Sequence, residues 1–121
     1  EVAGIDSESG DLVIGGQAAA HTVVQFHLRD ADASAADLER ELGRHREVDP
    51  SAPSAALMFS CIGRGTALYG VPGRDSGMFR RAFSDVPLGG MFCAGEIGPV
   101  QGATFLHGYT TVFGLVRPRR R

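Results

Sequence analysis

Two apolar runs, "SAALMFSCIG" from residue 54 and "LGGMFCA" from residue 88, constrain this chain more than any other feature. Such unbroken apolar character is expected of strands covered on both faces. Glycines at 63, 65, 70 and 73 make the segment after the first run a loop. Asp75 is then an N-cap for a short helix to about Ser84, with Met78, Phe79, Ala82 and Phe83 facing inward, and Pro87 breaks it. Strand 56–61, helix 75–84 and strand 88–94 form a β-α-β unit, whose strands run parallel and whose crossover is right-handed. In that alignment Cys61 matches Cys93, Gly63 matches Gly95, and Arg64 matches Glu96.

The rest of the chain adds antiparallel elements. "DLVI", ending at Gly15-Gly16, reads as a short hairpin strand whose partner runs from about Thr22 to Leu28. There Val24, Phe26 and Leu28 share one face and Gln25 and His27 the other, which makes His27 a surface residue. Ser34 offers an N-cap with Asp37 three positions on, and Ala35, Leu38 and Leu42 follow at helical spacing. A helix over about 34–46 is predicted, closed by the stiff "DPSAP" connector. "ATFLHGYTT" and "TVFGLV" are two further strand-like runs. The predicted fold class is α/β, with α+β as the alternative. Its mixed sheet holds one parallel β-α-β unit, an antiparallel hairpin and carboxyl-terminal strands, with two helices.

At 121 residues, 43% hydrophobic and 21% charged, this is one ordinary globular domain, residues 1–116, followed by a basic tail at 117–121. Removing the tail arginines, Arg117, Arg119, Arg120 and Arg121, leaves an acidic body without tryptophan, a poor nucleic-acid surface. All bases are arginine. No apolar run approaches the ~20 residues of a membrane span. The chain starts at Glu1 without a secretory signal and is read as a piece or processed product of a longer protein. Cys61 and Cys93 lack C-x-x-C spacing, which points to a reduced, cytoplasmic setting. His21, His27, His45 and His107 are scattered, no carboxylate cluster completes a metal site, and no cofactor is implied.

The carboxyl ends of parallel strands are where open α/β sheets take ligands. Arg64 and Glu96 are expected to emerge together there, among glycines that let a backbone or a ligand come close. An arginine fork suits a carboxylate or phosphate, and a glutamate suits an amine. The plainer alternative is an Arg64–Glu96 ion pair beside strand ends that are glycine-rich because they are crowded. Cys61 is a small buried hydrophobe in one reading and a thiolate nucleophile in another, with His107 as its base.

Together "GIDSESGDLVIGG", "VVQFHLRDADASAADL", "LMFSCIGRG", "VPLGGMFCAGEIGPV" and "TFLHGYT" resemble the C-terminal half of FIST proteins, from about Gly4 to Leu115. Those are small-ligand sensors of bacterial signal transduction, also found in some eukaryotic F-box proteins. "GGQAAAH" departs from relatives that more often carry charges in that hairpin. The resemblance implies a sensory domain that binds a small molecule of amino-acid type and partners an N-terminal FIST half or another signalling domain. It implies no established reaction. The matched positions Cys61, Gly63, Arg64, Gly65, Gly95, Glu96 and Gly98 are its candidate ligand contacts. The competing readings are an interaction module that packs on an absent half, and the cysteine-dependent enzyme.

Overall fold

The computed structural model describes residues 2–119. Its centre is a three-stranded sheet in the order β4 (Leu88–Cys93), β3 (Ala55–Cys61), β7 (Thr111–Val116). β3 and β4 are parallel, and their register sets Cys61 opposite Cys93, as the sequence predicts. β7 runs antiparallel to β3. Two hairpins complete the mixed α/β fold: β1 (Val2–Ile5) with β2 (Leu12–Ile14), and β5 (Glu96–Val100) with β6 (Ala103–His107). Among the described residues no helix is long and apolar enough to cross a membrane.

Helices α1 (Ala31–Val48) and α3 (Arg74–Ala82) cover one face of the central sheet. The stripe Ala35, Leu38 and Leu42 meets Met78, Phe79 and Phe83 over Ala56, Leu88, Phe113 and Leu115. Phe79 is fully enclosed, with its ring 5.1 Å from Phe113 in a stacked pair and 5.1 Å from Phe83. The expectation that both faces of β3 are covered holds for one face alone. On the other, Leu57 is 48% and Met91 63% exposed.

Four expectations are corrected. The partner of β2 is β1, through a turn in which Asp6 Oδ1 accepts from the amides of Glu8 and Ser9, both at 2.9 Å. With β2 taken, residues 22–28 find no ladder and form no strand. α1 starts three residues early, because Asp30 rather than Ser34 caps it by accepting from the Ala33 amide at 2.7 Å. Asp75 is no cap either; it lies buried in the first turn of α3, which follows Gly73. A third, one-turn helix, α2 (Thr66–Tyr69), stands in the loop predicted to be irregular. At the carboxyl end Arg117 is docked on Ser51, Asp49 and His45; Arg120 and Arg121 lie outside the described residues.

Gly90 holds the parallel pair together by what it lacks. Its φ is 149°, and a Cβ there would lie 1.9 Å from the carbonyl oxygen of Met58 on β3. Gly90→Ala is expected to cost at least about 1–3 kcal/mol from backbone strain, before the cost of the displaced strand. Urea denaturation measures it; an unchanged midpoint contradicts the close approach.

Candidate functional site

Past the carboxyl end of β3 the chain makes one 3-10 turn, Ile62–Arg64, which turns Arg64 back under the helix-covered face. There it meets Asp75. Arg64 Nε donates to Asp75 Oδ2 at 2.8 Å and Nη2 to Oδ1 at 3.0 Å. Nη2 also donates to the Tyr69 hydroxyl at 2.6 Å, and Nη1 to Ser34 Oγ and to the Tyr109 carbonyl, both at 3.1 Å. A guanidinium has five N–H groups, and all five are engaged. The carboxylate is equally saturated, with Tyr69 donating to Oδ1 at 2.9 Å and the Ser60 and Thr111 hydroxyls on Oδ2 at 3.0 and 2.7 Å. Ser34, freed from capping, thus ties α1 into a network that reaches β3, β7, α2 and α3.

Burial opposes the charged form of Asp75, yet the Arg64 fork and the Thr111 and Tyr69 hydroxyls outweigh it and hold its pKa below the ordinary value. Burial likewise works against the Arg64 cation, and Asp75 reverses the balance and raises it. Tyr69 is pushed up by burial first and by the Asp75 carboxylate second.

Glu96 lies elsewhere. Its strand continues to Gly98, which shares its face of β5 and packs where a Cβ would meet Val112 Cγ2 at 3.4 Å. Val112 alternates with Thr111 and Phe113, so it points to the sheet face away from the helices. Arg64 and Glu96 therefore occupy opposite faces of the central sheet. The predicted convergence fails, and so does the plainer ion pair: the partner of Arg64 is Asp75. Sequence reasoning missed Asp75 because its position at a helix start matches a cap. Buried charge cannot be told from capping charge by spacing.

What surrounds Glu96 is unusual. It is 2% exposed, and neither carboxylate oxygen has a hydrogen-bond partner among the described residues. Across the ladder sits His107, whose Nε2 lies 3.0 Å from the Gly98 carbonyl oxygen. The four glycines are packed rather than open. A Cβ at Gly63 would meet the Tyr109 ring at 2.6 Å, at Gly65 the Phe92 ring at 3.4 Å, and at Gly95 Leu106 Cδ1 at 3.1 Å. Cys61 is 5% exposed, its amide bonded to the Thr110 carbonyl. His107, the base assigned to Cys61 in the enzyme reading, has its Nε2 on Gly98 instead.

Comparison with known proteins adds the family. The model of the FIST C domain matches residues 1–99. An uncharacterised protein of Mycobacterium tuberculosis is 38% identical over 112 residues, covering 93% of this chain and 29% of that protein. The F-box/LRR-repeat protein of Arabidopsis thaliana is 33% identical over 129 residues, covering 91% of this chain and 24% of its own length. Human F-box only protein 22 is 32% identical over 83 residues, 55% of this chain and 21% of that protein. The chain thus spans under a third of the length of these curated relatives, in which the domain sits within a longer polypeptide. By the family model and by alignments over most of its length, the chain belongs to the FIST C domain family.

Proposed function

We propose that this domain senses a small molecule bearing an ammonium group, of amino-acid type, and that Glu96 is the residue that receives it. The observation that carries the reading is the enclosed carboxylate without a hydrogen-bond partner among the described residues. An anion removed from water costs several kcal/mol unless a cation or donors answer it, so the native function of such a group is to be answered. A ligand ammonium supplies both the charge and the N–H groups. Glu96 begins β5 just beyond the carboxyl end of β4, on the sheet face where Leu57 and Met91 remain uncovered and could receive an apolar side chain. Gly95 and Gly98 shape the wall beside it, and Arg64 braces the Gly63–Gly65 loop rather than binding an acid.

Calorimetric titration of the chain with amino acids and simple amines tests this. Glu96→Gln is expected to lose about 1.5–3 kcal/mol of binding, roughly 10- to 150-fold, as the hydrogen bond to a charged group is lost. The unliganded variant is expected to be no less stable than the parent, because it no longer buries an unanswered charge. Equal binding by Glu96→Gln overturns the reading.

A second reading rests on a separate observation. Leu57, Met91 and, on the outer face of the β5–β6 hairpin, Leu106 (77% exposed) leave apolar surface that a protein partner, including the remainder of a longer polypeptide, could cover. In that case a partner's cationic side chain answers Glu96.

A further inference from the structure

The open edge of β4, on the helix side of the sheet, is a second feature and is independent of Glu96. We infer that it is a docking groove for an extended, acidic peptide segment of a partner polypeptide, which adds to the sheet as a strand beside β4.

The register shows which backbone groups are available. The Ala56 amide donates to the Pro87 carbonyl, and Ala56 is paired with Leu88. In a parallel ladder this phase directs the N–H and C=O groups of Gly89, Met91 and Cys93 toward β3. Those of Leu88, Gly90 and Phe92 then point outward. β4 is the last strand of its sheet among the described residues, so this row has no strand partner. The strand also lacks two of the usual protections of an edge. "LGGMFC" carries no charge and no proline.

The space beside that row is shaped for a strand's side chains. A groove of about 340 Å³ lies between β4 and α3, with Leu88 and Phe92 at its ends, Met58 on its floor, and Ser76 and Arg80 on its helical wall. Gly90, which admits no side chain, leaves the middle open. An added strand would alternate, so every second residue enters this groove while its backbone pairs with Leu88, Gly90 and Phe92.

Charge selects the occupant. Arg80 is exposed and has no acidic partner among the described residues, whereas its neighbour Arg81 is held by Glu39 at 2.7 Å. The groove continues past Ser60, Ser76 and Phe92 into a cavity of about 130 Å³ that Arg74 also lines. The one acid there among the described residues, Asp75, is neutralised by Arg64. The groove is thus apolar along its floor and positive along its wall, which fits an apolar residue flanked at every second position by carboxylates.

The test uses the acetylated, amidated pentapeptide Glu-Thr-Val-Thr-Glu, which reads alike in both strand directions, and its Lys-Thr-Val-Thr-Lys counterpart. Titration of the isotope-labelled chain, followed by amide NMR, is expected to give saturable shifts at Leu88, Gly90 and Phe92 with the acidic peptide. Arg80→Glu is expected to weaken that peptide about threefold to fivefold, the size of an exposed ion pair, and to reverse the preference between the two. Three results overturn the inference: shifts confined to other residues or absent at millimolar peptide, equal binding of both peptides, or an unchanged preference in Arg80→Glu. Broadening of the same amides that grows with protein concentration alone would assign the edge to a second copy and overturn it as well.

Discussion

Replacing Asp75 by alanine is expected to remove about 3–5 kcal/mol of folding stability, the cost of leaving one member of a buried ion pair uncompensated. Arg64 would keep its charge on the helix-covered face with two of its five donors unanswered, and the Ser60, Thr111 and Tyr69 hydroxyls would lose their common acceptor. Against a typical total of about 5–15 kcal/mol this is close to unfolding the domain. Chemical denaturation followed by circular dichroism measures it. The double replacement Arg64→Met with Asp75→Leu is expected to recover much of the loss, because removing both charges removes the desolvation problem. A single-variant loss below about 1 kcal/mol would mean that the pair behaves as a solvated one.

The same carboxylate sets an acid limit. The folded-state pKa of Asp75 lies below the ordinary aspartate value of 3.8, so the folded chain binds this proton more weakly than the unfolded chain does. Its contribution is complete above the unfolded value and is lost as pH falls through the folded one. Stability should therefore decline as pH is lowered through and below 3.8, and this component of the decline should vanish in the double variant.

Phe79→Ala is the second large expected effect, again about 3–5 kcal/mol, through lost burial and a cavity between α3 and the sheet. Phe79 lies on the same face of α3 as Asp75, one turn further on, and its ring stacks on Phe113 of β7. Urea denaturation is the measurement, with a lower midpoint at unchanged slope as the expected form. Because both residues dock the same helix, combining Phe79→Ala with Asp75→Ala should cost less than the two losses added together. Strict additivity would show that α3 is not a single docked unit.

Much of this architecture was legible in the chain. Periodicity found the stripe of Ala35, Leu38 and Leu42 and the inward residues Met78, Phe79 and Phe83, because helical spacing and the need to bury apolar surface act locally. The parallel pairing of Cys61 with Cys93 followed from two matched apolar strands joined by a helix. Residues 22–28 misled because alternation describes a strand's faces and says nothing about whether a neighbour is free to pair. Covering both faces of β3 was expected for a related reason, since composition records the demand for burial and not what supplies it.

The candidate site divides along the same line. Sequence by itself determined that Arg64 and Glu96 leave corresponding ends of parallel strands, which is a statement about backbone position and register. Only the tertiary structure decided where the charges went: the 3-10 turn returns Arg64 to Asp75 beneath the helices, while Gly95 and β5 carry Glu96 to the opposite face. The physical reason is that register is specified by local pattern, whereas the partner of a buried charge is chosen by whatever group long-range packing brings within hydrogen-bond distance.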